Sequence, residues 1–210
     1  MIHQNLGIGH PPKKNNMKRI LFTVLTFLFV SIAMHAQHIN LGIKGGLNGY
    51  TIKGDNSADL DIKVGYNIGL LGHIHIKKQF ALQPEIVYSV QGAKSKISGS
   101  DQSLTMNYIN VPVNFQYMYD NGFRLQAGPQ FGILTSAKAA TGSVKNDVKS
   151  SYKSTDIGLT VGMSYVQPST GFGIDIRYNH GLTNINVNNT VKSYNRGVQV
   201  GVFYLFDHKS

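Results

Sequence analysis

The sequence contains no cysteine and no tryptophan, and it has few charged residues for its length. Without cysteine no disulfide can form, so packing and hydrogen bonds must hold the fold together. Charged residues make up 14% of the 210 residues, whereas about a quarter is usual in soluble domains. Apolar residues never form the run of about 18 that a membrane-spanning helix requires.

The first 36 residues have the pattern of a secretory signal. A positive n-region, Met17-Lys18-Arg19, precedes an apolar stretch from Ile20 to Ile32, and small residues lead up to Ala36. We therefore predict a signal peptide over 17–36, cleaved after Ala36, with 1–16 as an over-extended start. A short membrane anchor is the alternative.

The part that follows this segment is only mildly basic. Of the chain's 20 basic residues, four lie in the first 36, which hold no acidic residue, so the remainder carries a net charge of +6. No dense stripe of Lys and Arg, of the kind that follows a nucleic acid backbone, is present. We therefore expect no nucleic acid partner.

The remainder alternates between apolar and polar residues, a pattern that predicts β-strands. Eight segments show it, and most exceed the length of a typical soluble strand: 38–50, 64–76, 80–91, 104–117, 123–135, 155–166, 172–179 and 195–206.

The connections between these segments alternate in length. Short ones are predicted at 77–79, 118–122 and 167–171, and long ones at 51–63, 92–103, 136–154 and 180–194. Short periplasmic turns and long outer loops are typical of outer-membrane barrels. We predict an all-β fold, an eight-stranded antiparallel up-and-down transmembrane β-barrel over 37–210, with both termini in the periplasm.

Aromatic residues on the apolar face favour a membrane barrel over a soluble, lipocalin-like one. They fall into two bands, as expected for the girdles at the two membrane interfaces. The band near the short turns comprises Phe80, Tyr117, Phe123, Tyr165, Phe172 and Phe206; the band nearer the long loops comprises Tyr66, Tyr88, Phe131 and Tyr178.

The polar face predicts a filled lumen, since eight strands enclose room only for side chains. We expect Glu85, Arg124, Asp175 and Arg177 to point into it, with Lys44 and Asp156 as further candidates. Strands three and seven face each other across the ring, so Glu85 and Arg177 could meet. The charges then form an internal ion-pair plug, or alternatively a proton or ion path.

Two groups of residues suggest chemistry without fixing it. His73 and His75, two apart on one strand face, could begin a metal site, but lumen hydrogen bonding explains them as well. His180 with Ser193 or Ser100 could serve a lipid-modifying enzyme, but nothing sets a nucleophile beside a base. We predict no catalytic residue, no metal and no cofactor.

The long connection 136–154 is basic. It carries four lysines, Lys138, Lys145, Lys149 and Lys153, against the single acid Asp147. Such cations could contact the phosphates of lipopolysaccharide or another outer-membrane lipid. A merely solvated loop is the alternative.

Several segments resemble a known family. FALQPEIVYSVQG (80–92), NYINVPVNFQY (107–117), FRLQAGPQFGIL (123–134) and DIGLTVGMSY (156–165) resemble the outer-membrane β-barrel domain common in Bacteroidetes, often called PorT-like. The likeness covers 37–206, from an opening strand after Ala36-Gln37.

The resemblance implies insertion by the outer-membrane barrel-assembly machinery, which reads a C-terminal aromatic strand, here ending at Phe206. One member type is linked to protein secretion, but no residue here carries that role. The resulting hypothesis is a non-enzymatic barrel with a structural or surface-interaction role. The alternatives are a narrow pore or secretion/transport-associated barrel, a lipid-modifying enzyme, or a soluble periplasmic barrel.

Overall fold

The structure, a computed structural model, describes residues 39–54, 60–97 and 100–206. The predicted signal peptide (17–36) and the residues before it lie outside this range, as do residues 207–210. Among the described residues, no helix has the length and apolar character needed to cross a membrane.

The described chain is almost entirely β-strand, with one short 3-10 helix at Lys149–Ser151. The strands are β1 (Ile39–Gly54), β2 (Asp61–Lys77), β3 (Phe80–Ile97), β4 (Ser100–Met118), β5 (Phe123–Thr141), β6 (Val144–Asp147), β7 (Thr155–Val166), β8 (Phe172–Gly181) and β9 (Ser193–Leu205).

Eight of these strands close into a ring. The order is β1-β2-β3-β4-β5-β7-β8-β9, and β9 returns to pair with β1. Every pairing is antiparallel, from Ile43 opposite Tyr204 at the closing seam to Phe123 opposite Tyr165. Strand β6 pairs with β5 and stands outside the ring. The predicted eight-stranded antiparallel fold is therefore confirmed.

The two faces of the wall have opposite character, as β8 illustrates. Phe172, Ile174 and Ile176 are exposed on its outside, whereas Asp175 and Arg177 are buried on its inside. Side chains alternate between the faces of a strand, so each strand presents an apolar row outward and a polar row inward. A soluble barrel has the reverse arrangement.

The two ends of the barrel differ. Short connections between β2 and β3, β4 and β5, and β7 and β8 define what we call the turn end; the opposite end is the loop end. Gly122 and Gly171 adopt positive φ angles of 89° and 73° in the last two of these turns, a conformation that glycine adopts without steric cost.

The prediction of long loops at 92–103 and 136–154 is wrong, and the loop at 51–63 is shorter than expected. Strands β3 and β4 continue until Ile97 pairs with Ser100. Strand β5 continues to Thr141, turns at Gly142 and returns as β6. These extensions escaped prediction because a strand solvated on one or both faces has no need of apolar alternation. The connection 182–192 remains irregular, as predicted.

The side chains that fill the lumen are not all polar. Apolar clusters occupy the inside at both ends, separated by the polar side chains of mid-barrel. The loop-end cluster comprises Ile52, Ala93, Met106, Tyr108, Leu134, Ala137 and Ile185, and the turn-end cluster comprises Leu71, Val166, Phe203 and Leu205.

Strands β4 and β5 approach each other so closely at Gly128 that a substitution there tests the fold. A Cβ atom at Gly128 would overlap with the carbonyl oxygen of Val113, whereas one at Gly72 would lie 3.8 Å from the nearest atom of Pro84. We expect Gly128→Val to abolish the faster gel migration of the unheated barrel, because the strand cannot approach its neighbour. Gly72→Val should fold normally; equal behaviour of both variants would contradict the wall geometry.

Candidate functional site

Four charged side chains meet in the middle of the lumen. Arg177 on β8 binds Glu85 on β3 through two hydrogen bonds, Nη1 to Oε2 at 2.8 Å and Nη2 to Oε1 at 2.6 Å. Lys44 on β1 places Nζ 3.2 Å from Glu85 Oε2 and 3.1 Å from Asp175 Oδ2. Arg177 Nε lies 2.6 Å from the same Asp175 oxygen. We call these four residues the ion network.

The ion network is buried and balanced. Its side chains are at most 2% exposed, and two cations face two carboxylates. Buried charges are tolerated only when they are paired and hydrogen-bonded. Here each carboxylate contacts both cations, so the four side chains neutralise one another while they fill the middle of the lumen.

The neighbouring strands make room for this cluster. Asp175 lies opposite Gly201 on β9, and a Cβ atom at Gly201 would come within 3.1 Å of Asp175 Oδ1. On β3, Gln83 donates to Glu85 Oε1 at 2.7 Å, and Gln116 on β4 donates to Gln83 Oε1 at 2.9 Å. Amides thus continue the ion network toward β4.

Arg124, His73 and His75 form a separate contact nearer the turn end. Arg124 Nη1 lies 3.4 Å from His73 Nδ1, and the rings of His73 and His75 pack edge to face at 4.5 Å between centroids. His73 is fully buried, whereas His75 is half-buried. Within the described ranges, no group of three or more His, Asp or Glu side chains is arranged to hold a metal ion.

Asp156 lies at the loop end and joins three elements. Asn195 on β9 donates to Asp156 Oδ2 at 2.8 Å, and Thr183 in the following loop donates to Oδ1 at 2.8 Å. Asn195 Nδ2 also contacts the hydroxyl of Tyr108 on β4 at 3.2 Å. The carboxylate therefore fixes the loop after β8 to the barrel wall.

Two loops cover the apolar cluster at the loop end. The amide of Lys153 donates to the carbonyl of Ile185 at 2.7 Å, and the amide of Val187 donates to that of Ser151 at 3.1 Å. Ile185 is completely buried beneath them. Burial also raises the pKa of Tyr152, which packs on the same cluster. This cover was not predicted, because Ile185 lies in a segment without strand alternation.

His180 and Ser193, the predicted enzyme candidates, have other contacts. His180 Nδ1 lies 3.4 Å from the hydroxyl of Tyr178. Ser193 begins β9, where its hydroxyl accepts a hydrogen bond from Asn186 at 2.9 Å. Ser100 begins β4, but its side chain lies outside the described part of the chain. The structure does not bring His180 and Ser193 together.

The predicted aromatic positions lie on the outer face. Near the turn end, the ring of Phe80 contacts that of Tyr117 at 5.3 Å between centroids, and the ring of Tyr204 contacts that of Phe206 at 5.5 Å. In the band nearer the loop end, Tyr66 contacts Tyr88 at 6.3 Å. The remaining members, also at least partly exposed, are Phe123, Phe131, Tyr165, Phe172 and Tyr178.

Three further aromatic residues extend the turn-end band. Phe115, Tyr119 and Tyr204 are all exposed on the outside. Tyr119 packs against Tyr117 at 5.0 Å and Phe123 at 5.7 Å. Tyr119 lies in a turn, so alternation could not assign it to a face.

The strand register gathers lysines on one outward surface at the loop end. Lys138 lies opposite Asp147, and Lys145 lies opposite Ala140, so both lysines share one face of the β5–β6 hairpin. The buried Ala137 occupies the other face. Two of the predicted lysines lie elsewhere: Lys149 is exposed in the 3-10 helix, and half-buried Lys153 donates to Asn189 at 3.3 Å.

Lys94, which the sequence did not single out, extends this surface. It lies opposite Ser103 on β4, and Ser103 in turn lies opposite Ala140 on β5. Lys94 is therefore on the same outward face as Lys138 and Lys145, and it is exposed. Only the strand register reveals this relation, because the residues are far apart in sequence.

Comparison with known proteins supports a membrane barrel. The profile of the outer membrane protein beta-barrel domain matches residues 35–187. Neisserial surface protein A has a similar structure: TM-score 0.55, 15% identity, and coverage of 81% of this chain and 100% of that one. Ail, the attachment invasion locus protein of Yersinia pestis, gives a TM-score of 0.44 at 14% identity, covering 79% and 98%. No curated protein sequence matches significantly.

Breaking the ion network should destabilise the barrel strongly. In Glu85→Gln, Lys44 and Arg177 retain only the carboxylate of Asp175, which leaves a buried positive charge. We expect the free energy of unfolding in urea to fall by about 3–5 kcal/mol, with a comparable loss in Arg177→Met.

The exposed pair Lys78–Asp120 at the turn end provides the control. Its atoms are 3.7 Å apart, with side chains 83% and 74% exposed, so Lys78→Met should leave stability unchanged. If Glu85→Gln and Arg177→Met unfolded at the wild-type urea concentration, and kept the wild-type gel shift on heating, the structural role of the network would be refuted.

Proposed function

Because this chain belongs to the outer membrane protein beta-barrel domain family, we propose that it is a closed, non-enzymatic barrel whose loop end is the functional surface. Its apolar outer face suits insertion in the outer membrane. Within the described part, its polar side chains are used to fill the lumen, and His180 and Ser193 make hydrogen-bond contacts with Tyr178 and Asn186 respectively.

The observation that carries this proposal is the ion network. Glu85 and Arg177 come from opposite walls and bind through two hydrogen bonds. Apolar clusters lie on either side of this layer. A conducting path would have to break a buried, doubly hydrogen-bonded ion pair and pass both clusters, which favours a closed barrel.

The orientation proposed for this barrel follows from its connections. In outer-membrane barrels the short turns face the periplasm and the longer connections face outward. An even number of ring strands then puts both chain ends in the periplasm, which agrees with the predicted signal peptide over 17–36 and with insertion by the barrel-assembly machinery. The narrower PorT-like resemblance stays a prediction, and we do not adopt the secretion role of one member type.

We further propose that the loop end contacts lipid phosphates, including those of lipopolysaccharide. Lys94, Lys138 and Lys145 point sideways from the wall, above the apolar belt, where head groups would lie. Two acids share this register: Asp61 lies opposite Lys94, and Asp147 lies opposite Lys138 and accepts a hydrogen bond from the amide of Lys149. A cation near an anionic membrane surface contributes about 1 kcal/mol.

The closed lumen can be tested by electrical recording. The purified barrel, added to a planar bilayer, should produce no reproducible open-channel steps above those of bilayers treated with detergent alone. The physical reason is the paired charge at mid-lumen. A stable, unitary conductance from the wild-type barrel would overturn the closed-barrel proposal and favour the narrow pore.

The phosphate contact can be tested with matched pairs of lysines. We expect Lys138→Gln with Lys145→Gln to weaken binding of purified lipopolysaccharide on the order of tenfold at low salt, and less at high salt. Lys77→Gln with Lys78→Gln removes the same charge from the turn end and should have little effect. Equal loss in both pairs, or none in either, would contradict this assignment.

A further inference from the structure

A groove crosses the outer face of the barrel at β1, β2, β9 and the first residue of β8. Its volume is about 540 Å³, and its outward side chains are all apolar or aromatic: Ile43, Ile68, Leu70, Phe172, Val202 and Tyr204. The groove lies within the belt that faces the membrane. We propose that it is a seat for one acyl chain of a membrane phospholipid.

A single glycine creates the groove. Gly45 lies opposite Ile68 on β2 and opposite Val202 on β9, all on the outer face. Along β1 it falls between Ile43 and Leu47, which are both exposed. A Cβ atom at Gly45 would meet only the carbonyl oxygen of Asn67, at 3.7 Å. A row of large side chains is therefore interrupted at one position, and no side chain of the described residues occupies the space.

The wall beneath the groove is closed by the ion network. Lys44, next to Gly45, points inward and is held by Glu85 and Asp175 at 3.2 and 3.1 Å. The groove thus has an apolar surface although a charged side chain lies directly behind it. Apart from the hydroxyl of Tyr204 at its border, the side chains that line the groove offer no partner to a polar ligand, whereas a hydrocarbon chain would contact apolar atoms on both sides.

Position along the membrane normal favours an acyl chain as the occupant. Phe172 and Tyr204, which belong to or extend the turn-end aromatic band, border the groove at one end, and Ile68 and Leu70 continue it toward mid-wall. The groove is therefore continuous with the lipid-facing surface and begins at an interface, where a head group lies. Association inside a bilayer depends on close packing, and a groove supplies more contacts to a chain than a convex wall does.

The direct test fills the groove. The barrel is reconstituted in vesicles of phosphatidylethanolamine and phosphatidylglycerol, extracted in mild detergent, and analysed by native mass spectrometry. We expect one retained phospholipid on the wild type, at least fivefold less on Gly45→Leu, and an intermediate amount on Gly45→Ala. Gly72→Leu is the matched control, because Gly72 lies on the outer face of β2 and a Cβ atom there would make only van der Waals contacts, at 3.8 Å to Pro84 and 4.0 Å to Ile39. It should retain lipid as the wild type does.

Two outcomes of this measurement would overturn the proposal. One is equal retention on Gly45→Leu and the wild type. The other is a wild-type dimer that Gly45→Leu dissociates, which would identify a second copy of the chain as the occupant. Heat-shifted gel migration reports whether each variant is folded.

A second measurement does not depend on changing Gly45. The chain has no tryptophan, so Phe172→Trp places a single reporter at the border of the groove and replaces one aromatic side chain by another. Phe80→Trp makes the same exchange on β3, on the opposite side of the ring. In vesicles of phosphatidylcholine with brominated acyl chains, dilution with unbrominated lipid should relieve quenching more slowly at position 172. Identical recovery at both positions would overturn the proposal even if Gly45→Leu did not fold.

Discussion

The paired charge between Glu85 and Arg177 is the constraint on which the structure depends. The two side chains come from strands on opposite sides of the ring and close the lumen at its middle. A ring of eight strands is too narrow for a water-filled channel. Charged side chains inside it are therefore kept from water and must be paired. The inner face must therefore supply both signs at matched heights, and Lys44 and Asp175 complete the balance.

Because of that requirement, the two faces of the wall carry different kinds of side chain. Inside, glycines such as Gly201 leave room for the carboxylate of Asp175, and amides such as Gln83 accept or donate the remaining hydrogen bonds. Outside, the same strands carry aliphatic and aromatic side chains that need no partner. Because the inside is filled, the surfaces left for ligands and partners are the two ends of the barrel and its outer wall.

The sequence predicts those features that follow from a period of two. It places Glu85, Asp175 and Arg177 inward and the aromatic bands outward, and the strand order suggests that Glu85 faces Arg177. It does not predict the strand extensions between 92 and 103, strand β6, or the burial of Ile185, because these depend on pairing and packing between segments and not on alternation. The alignment of Lys94 with Lys145 has the same origin.

The ion network has a second consequence, for register. Buried ion pairs add little net stability compared with apolar packing, and their best-attested use is to select one arrangement. A shift of β3 by one residue would turn Glu85 toward the membrane and Ile86 into the lumen, since successive side chains face opposite ways. A charge on the lipid-facing side of a barrel wall is unfavourable. The network therefore disfavours the shifted barrel in two ways. Inside, Lys44 and Arg177 would keep only the carboxylate of Asp175, which leaves an excess of buried positive charge; outside, Glu85 would face lipid.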